Sequence, residues 1–190
     1  MSKIAIISDT HDQIANLRAA ISHCNTAGVD LIIHCGDLIS PFMLKELAKF
    51  NGPTHLIYGN NAGDQHLISS RCSNEYDNIT HHGIFGRITI SGLKVAFVHY
   101  PDMAMGLVSQ KEYDIVCCGH NHKNHIEQYE ETLLINPGHM LGENESGGFT
   151  VLDCTTMSVQ RISVGECMFN REVKVESNGP ARHLHPTLNR

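Results

Sequence analysis

Long apolar runs, paired cysteines and an excess of basic charge are all missing from this 190-residue sequence. No apolar run approaches the roughly 20 residues that a membrane-spanning helix needs, so we expect no membrane span. The seven cysteines are odd in number and include no C-x-x-C pair, which disfavours a disulfide framework and indicates reduced thiols. The formal net charge of −6 disfavours binding to a long nucleic-acid duplex, because such binding draws on basic patches.

The residues that are present indicate a globular protein. Hydrophobic residues make up 41% of the chain, and its length suits one domain with a real core. The N-terminal apolar run meets Asp9 too soon to be the hydrophobic region of a signal peptide, so we expect a cytoplasmic protein. Fourteen histidines are the one compositional excess. Histidine is the commonest metal ligand and also a routine surface residue, so position along the chain must decide its role.

Short apolar runs alternate with amphipathic segments through the first part of the chain. The runs at 3–8, 30–35 and 54–58 are typical of buried strands. The segments between them, at 13–24 and from Pro41 onward, have helical spacing. This β-α-β-α-β order predicts a parallel sheet with right-handed crossovers.

The second part of the chain is richer in strands. A short helix is predicted near 64–71, followed by a polar loop in which we interpret His81 and His82 as exposed residues. Further strands are predicted at 87–91, 93–98, 114–118, 124–129, 132–135, 148–153 and 157–164, with a short helix or loop at 102–111. We therefore predict one domain at 1–164 and a partly docked or poorly ordered tail at 165–190.

Side chains that can bind metals follow five of the predicted strands, at the points where those strands end. They are Asp9, His11, Asp37, Asn60, His99, His120 and His122. Ligands of open α/β sheets bind outside the carboxyl ends of the strands, so these residues are expected to converge on one cleft. Each motif alone is weak, since Gly-Asp and Gly-Asn usually mark turns and a single histidine usually has an ordinary role. Because all of these motifs lie at the carboxyl ends of predicted strands, together they are stronger evidence for a metal site than any one motif alone.

The donor atoms of this set fit a pair of divalent transition-metal ions. Imidazole nitrogens together with carboxylate and amide oxygens suit Mn, Fe, Co, Ni or Zn, whereas Mg prefers oxygen ligands. We expect Mn first, with Ni, Fe, Co and Zn as alternatives. Two ions about 3.5–4 Å apart can clamp a phosphoryl group and generate hydroxide near neutral pH. Glycines at 36, 59 and 119 are expected to let the backbone turn sharply beside the ions.

In these residues the sequence resembles the calcineurin-like metallophosphoesterases, and within them the small single-domain YfcE/MJ0936-type phosphodiesterases. The motifs D-x-H, G-D, G-N, a strand-terminal H and G-H-x-H occur in that order between residues 9 and 122. The resemblance implies an α/β fold, a four-layer α-β-β-α sandwich of two mixed β-sheets flanked by helices. It implies that one ion is held by Asp9, His11, Asp37 and His122, and the other by Asp37, Asn60, His99 and His120. Asp37 would bridge the ions, and a hydroxide held between them would attack phosphorus in line.

Three positions depart from the family pattern. Tyr100 and Pro101 follow the strand-terminal histidine where the family usually has glycine, which changes the pocket wall, and the helix that usually follows is expected to be curtailed. Asn61 stands where the family often carries a histidine that can protonate the leaving group, and an amide cannot act as a general acid. His139 replaces the serine of the family's N-P-G-S turn; we predict a structural role for it, with a His139 that faces the pocket as the alternative. Our candidates for catalytic residues are Asn60, which would reach a phosphate oxygen, and Asn61.

The function predicted by these features is metal-dependent hydrolysis of small phosphodiesters or monoesters. The alternative is a non-catalytic binding scaffold on the same fold, although such scaffolds usually lose metal ligands. A nuclease is disfavoured by the acidic charge and by the lack of interleaved basic and aromatic residues. The sequence leaves open the physiological substrate, the native metal and whether the chain forms a homo-oligomer.

Overall fold

The first strand, β1 (Lys3–Ile7), is buried on both faces because its side chains enter two different apolar cores. Ile4 and Ile6 pack into one core, and Ala5 and Ile7 into the other. Both faces of the sheet are covered at β1, which explains why its sequence is a continuous apolar run without alternation.

The computed structural model describes residues 2–142, 147–165 and 167. In its first half the elements are β1 (Lys3–Ile7), α1 (Ile14–Thr26), β2 (Leu31–His34), a 3-10 turn (Pro41–Met43) leading into α2 (Leu44–Leu47), β3 (Thr54–Leu56), α3 (Gln65–Asn74) and β4 (Ile79–His81). They continue with β5 (Phe85–Ile90), β6 (Leu93–Val98), α4 (Pro101–Gln110), β7 (Ile115–Cys117), β8 (Asn124–Tyr129), β9 (Thr132–Pro137), β10 (Gly148–Asp153) and β11 (Val159–Ser163).

The strands form two mixed sheets. The first sheet has six strands in the order β11-β10-β1-β2-β3-β4, with β1 to β4 parallel and β10 antiparallel to β1. The second has five strands in the order β5-β6-β7-β9-β8, with β6, β7 and β9 parallel. In the parallel part of each sheet the carboxyl ends of neighbouring strands therefore lie at one edge.

Three apolar cores separate four layers. The first contains Leu17 of α1 and Ile32 of the first sheet, and the second lies between the two sheets around Ile6 and Phe97. The third contains Val98 of the second sheet with Val108 of α4. The predicted four-layer α-β-β-α sandwich of two mixed sheets is thereby confirmed. Within the described ranges, the helices are all too short or too polar to cross a membrane.

The predicted elements are confirmed with shifted ends, except in one region. The prediction of a polar loop around His81 and His82 is wrong, because Ile79–His81 forms β4, which pairs in parallel with β3. Both histidines are half-buried rather than exposed. A strand of three mixed residues carries no periodicity, so only its pairing with β3 defines it. After His99, where the sequence predicts a short helix or loop at 102–111, the structure has a ten-residue helix, α4. The prediction for the tail lies almost wholly outside the described residues, and the predicted boundary at 164 remains a prediction.

Candidate metal centre

The loops that carry the seven predicted ligands meet at the carboxyl edges of both sheets. Backbone hydrogen bonds tie them to each other: the Asp9 amide donates to the Gly36 carbonyl over 3.0 Å and the His11 amide to the Asp37 carbonyl over 3.0 Å. On the second sheet, the Gly119 amide donates to the His99 carbonyl over 3.0 Å. The loop geometry is therefore set by main-chain bonds between strands that are distant in sequence.

Asp9, His11 and His122 form the first cluster of potential ligand atoms. The Nε2 atoms of the two histidines lie 3.2 Å apart, and Asp9 Oδ1 lies 3.6 Å and 3.4 Å from them. Two nitrogens each about 2.1 Å from one ion are separated by about 3.0 Å at a right angle and about 3.4 Å at the tetrahedral angle. Asp9 Oδ1 is buried and has no hydrogen-bond partner. A cation would satisfy this otherwise costly oxygen, so the cluster fits a metal ion.

The second cluster surrounds the amide oxygen of Asn60. Asn60 Oδ1 lies 2.9 Å from His99 Nε2 and 2.8 Å from His120 Nδ1. His99 Nδ1 lies 2.8 Å from the Cys35 carbonyl and donates to it, so in the neutral ring His99 Nε2 presents its lone pair to the cleft. Acceptor atoms directed at one point repel one another unless a proton or a cation lies between them. The second cluster therefore also fits a metal ion.

Asp37 lies between the two clusters. Its Oδ2 is 3.5 Å from His11 Nε2, and its Oδ1 is 3.4 Å from His99 Nε2. Asn61 donates to both oxygens, through its backbone amide to Oδ1 at 2.8 Å and its side-chain amide to Oδ2 at 2.7 Å. The side-chain amide of Asn61 is thus bound to the Asp37 carboxylate and does not point into the open cleft. The carboxylate of Asp9 is also near both clusters. It lies close enough to share a metal ion with His11 and His122, and close enough to share one with Asp37 and His99.

The carboxylates and histidines of the centre shift each other's pKa in opposite directions. Burial acts to raise the pKa of Asp37, but His99 and the two donors of Asn61 outweigh it and hold that pKa well below its usual range. Burial likewise acts on Asp9, where His11 and Ser8 lower the pKa. The pKa of His11 is raised, mainly by Asp9, and burial opposes this shift. Both carboxylates are therefore ionised and ready to bind cations.

The backbone at the centre is strained. Five of the seven predicted ligands have left-handed φ values between 40° and 72°, namely Asp9, His11, Asp37, His120 and His122. Such conformations cost of order 1–3 kcal/mol each for residues other than glycine and cluster at functional sites. Gly36 has a φ of 103°, as expected for a sharp turn.

Gly59 and Gly119 are needed for space. A Cβ at Gly59 would lie 2.0 Å from Asp37 Oδ1, and one at Gly119 would lie 1.9 Å from Ser8 Oγ and 2.6 Å from Asp9 Oδ2. The backbone at these two residues therefore passes directly against the two carboxylates. We had expected them to provide sharp turns, but neither has a positive φ.

His34 is a supporting residue that the sequence analysis did not single out. The Gly36 amide donates to His34 Nδ1 over 3.3 Å, so Nε2 carries the proton and donates to Thr10 Oγ1 over 3.1 Å. Thr10 Oγ1 in turn donates to the Asp37 carbonyl over 3.3 Å. Burial lowers the pKa of His34 to about 4 and keeps it neutral. A histidine within the apolar run of β2 was the available signal, because a fully buried polar side chain requires partners.

The turn at 136–138 holds the loop that carries His120 and His122. Asn136 Nδ2 donates to the Gly119 carbonyl over 2.9 Å and to Asn121 Oδ1 over 3.0 Å, as its predicted structural role requires. His139 is buried beside the centre, with its ring centroid 5.3 Å from that of His122. It therefore packs beside one of the predicted ligands.

Comparisons with known proteins show the family and the fold of the chain. Residues 2–157 match the family model described as the calcineurin-like phosphoesterase superfamily domain. The chain is 35% identical over 144 residues to phosphodiesterase MJ0936 of Methanocaldococcus jannaschii, covering 74% of this chain and 85% of that protein. It superposes on a solved archaeal phosphodiesterase with a TM-score of 0.77 at 31% identity, covering 85% and 99% of the two chains. The phosphoesterase YfcE of E. coli gives a TM-score of 0.61 at 14% identity, with 85% and 99% covered, which shows a common fold.

Proposed function

This chain belongs to the calcineurin-like phosphoesterase superfamily, and we propose that it hydrolyses small phosphodiesters at a centre of two divalent metal ions. The observation that carries this proposal is the convergence of acceptor atoms on two neighbouring points. The buried Asp9 Oδ1 has no donor, and Asn60 Oδ1 faces the lone pair of His99 Nε2. Bound cations are the simplest way to satisfy these atoms together.

We assign the ligands as follows. Asp9, His11, Asp37 and His122 would hold the first ion, and Asp37, Asn60, His99 and His120 would hold the second. Mn²⁺ is our first candidate, with Ni, Fe, Co and Zn as alternatives, because imidazole and carboxylate donors suit all of them. Two such ions would supply Lewis-acid polarisation of the phosphoryl oxygens and a hydroxide nucleophile near neutral pH.

The residues of the chain orient the substrate and the ligands. When Asn60 Oδ1 binds a cation, its Nδ2 remains as a donor for a phosphate oxygen. Asn61 fixes the orientation of the Asp37 carboxylate through two hydrogen bonds, so we infer that it positions this ligand. Asn61 has no acidic proton to give to a leaving group. We therefore propose that good leaving groups are cleaved much faster than alkoxides.

The substrate is proposed to be a small molecule rather than a polynucleotide, because the chain has a net charge of −6. Monoesters belong to the same proposal, because two ions can clamp either kind of phosphoryl group. We also propose a cytoplasmic location, with which seven buried cysteines agree. A non-catalytic scaffold is the second candidate, and the intact set of seven predicted ligands argues against it.

The test is hydrolysis of bis(p-nitrophenyl) phosphate by metal-stripped protein reloaded with each candidate ion, together with metal analysis. We expect about two ions per chain and activity that depends on added Mn²⁺ or a related ion. Asp37→Ala and His99→Ala should each lower kcat/KM by about 1,000-fold, since an ion contributes several kcal/mol to transition-state stabilisation. His82→Gln, outside both clusters, is the control and should retain activity. Undiminished activity in the two ligand variants would refute the proposal, and folded protein that binds metal without hydrolysis would support the scaffold.

A further inference from the structure

Tyr100 lies directly against the second cluster. Its ring centroid is 4.7 Å from that of His120 and 5.3 Å from that of His99, and both contacts are edge-to-face. These separations fall within the range in which aromatic pairs attract. Even so, 39% of Tyr100 remains exposed. The residue therefore presents an aromatic surface beside two predicted ligands while both remain in the cleft.

The position of Tyr100 is fixed by the residue that follows it. A residue before proline is restricted to extended conformations, and Tyr100 has φ −85° and ψ 131°. Pro101 then begins α4, and the Ala104 amide donates to the Tyr100 carbonyl over 3.0 Å. The ring is thus attached to a stiff junction between β6 and α4. A contact surface held in this way loses little conformational freedom when a ligand binds.

Two exposed apolar residues lie near Tyr100, one along α4 and one on the strand paired with β6. Met103, in the first turn of α4, is 47% exposed. Phe85 is 36% exposed. It lies opposite Val98 in the β5–β6 pair, and Val98 is the residue immediately before His99. The other cluster instead borders His139, which is buried against His122. The ring beside the second cluster is therefore partly exposed, whereas the ring of His139 beside the first cluster is buried.

We propose that Tyr100 is a specificity-determining residue that contacts a flat aromatic substituent of the substrate, such as an aryl or nucleobase group. The proposal rests on the proposed phosphoesterase function and adds the substrate class to it. Contact with a ring favours aromatic esters over alkyl esters of the same charge, because ring–ring packing adds to the area buried. The phosphoryl group would be held by the ions of the proposed centre, so we expect Tyr100 to act mainly on binding of the substituent.

Binding of matched phosphate monoesters tests this assignment without relying on turnover. Phenyl, cyclohexyl and methyl phosphate carry the same phosphate group and differ in their substituent. We would measure the dissociation constants by calorimetry on the metal-loaded protein, with the phosphonate of the same substituent standing in for each ester, because a P–C bond is not hydrolysed. The wild-type chain should bind phenyl phosphate about five- to tenfold more tightly than methyl phosphate, with cyclohexyl phosphate between them.

Two variants separate the ring from its hydrophobicity. Tyr100→Phe keeps the ring and should keep the preference for phenyl phosphate. Tyr100→Leu should lose that preference. Its metal content is measured beside each dissociation constant, because the ring also contacts the predicted ligands His99 and His120. Tyr129→Leu, which makes the same change on β8, is the control and should resemble the wild type. An unchanged ratio of phenyl to methyl affinity in Tyr100→Leu would overturn the proposal.

Kinetic measurements separate the role of Tyr100 from the proposed phosphoesterase activity. With bis(p-nitrophenyl) phosphate, Tyr100→Leu should raise KM about five- to tenfold and leave kcat nearly unchanged. If the wild-type chain hydrolyses no phosphoester with any ion, the proposed function fails, and the calorimetric ratio still decides the role of Tyr100. If hydrolysis is metal-dependent but KM does not change in Tyr100→Leu, the function stands and the specificity assignment is wrong.

Discussion

The molecule contains two groups of histidines near the carboxyl edges of its sheets, and they differ in what accompanies them. The metal centre combines its histidines with Asp9 and Asp37. The second group, which we call the distal histidines, consists of His55, His81 and His82 on and after β3 and β4. His55 Nδ1 lies 2.8 Å from His82 Nε2, and the ring centroid of His81 lies 4.0 Å from that of Tyr58. Within the part of the chain that is described, no carboxylate lies within 4.0 Å of a distal histidine nitrogen.

The pKa values of His11 and His99 at the metal centre are raised, whereas those of the distal histidines are lowered. At the metal centre, burial opposes the shift, but Asp37 and the Cys35 carbonyl raise the pKa of His99. Burial lowers the pKa of His55 and of His81 to about 4, and no carboxylate offsets it. Partial burial is common to both groups, so the carboxylates make the difference. Histidines alone give a neutral, packed cluster, whereas histidines beside ionised aspartates give a site that attracts cations.

Removing one carboxylate charge should make the metal centre resemble the distal histidines. We expect Asp9→Asn to lower kcat/KM by about 1,000-fold and to lower the metal content, because Asp9 contacts atoms of both clusters. Metal analysis and hydrolysis of bis(p-nitrophenyl) phosphate measure this. Asp64→Asn is the matched control, since asparagine also caps a helix and Asp64 caps α3. Equal losses in both variants would point to general destabilisation instead.

Displacing a carboxylate without removing its charge should have a smaller effect. Gly119→Ala puts a methyl group 1.9 Å from Ser8 Oγ and 2.6 Å from Asp9 Oδ2, so Asp9 and the Ser8 hydroxyl that donates to it must move. We expect metal affinity to fall about 10- to 100-fold, as is typical when the support of a ligand is disturbed. Titration of the metal-free protein with Mn²⁺ measures it. Unchanged affinity in Gly119→Ala would show that the centre tolerates movement of Asp9.

The distal histidines should make the protein sensitive to acid. Their folded pKa lies below the unfolded value, so the unfolded state binds more protons and stability is lost as the pH falls from about 6.5 toward 4. His81→Phe removes one such group. Between pH 7 and pH 5 we expect the variant to lose about 1 kcal/mol less unfolding free energy than the wild type, after allowance for partial exposure. Urea unfolding at both pH values tests this, and equal losses would contradict it.

A glycine away from both histidine groups gives the smallest effect. A Cβ at Gly106 in α4 meets nothing within 4 Å, and its φ is not positive. We expect Gly106→Ala to stabilise the fold by about 0.5–1 kcal/mol without any change in metal affinity. Urea unfolding and Mn²⁺ titration measure the two quantities. This variant is also the matched control for Gly119→Ala, and a loss of metal affinity in both would mean that the effect at Gly119 does not come from its contact with Asp9.

Much of the fold could be predicted because the apolar runs are long enough to identify. The runs that became β1 and β2 are buried on both faces, so their sequences are continuously apolar. β4 could not be predicted, because its three residues contain one apolar side chain and its identity depends on pairing with β3. The burial of His81 and His82 could not be predicted for the same reason.

The sequence by itself determined which residues could form the site, because metal-capable side chains follow strand after strand, and parallel strands bring their carboxyl ends to one edge. The tertiary structure decided how those atoms face each other. It directs Asn61 to Asp37, leaves Asp9 Oδ1 without a donor and places Tyr100 against His99 and His120. These relations join loops that are far apart in sequence, on two sheets whose packing fixes their distances. No local pattern encodes such distances, because they arise only when the core between the sheets is formed.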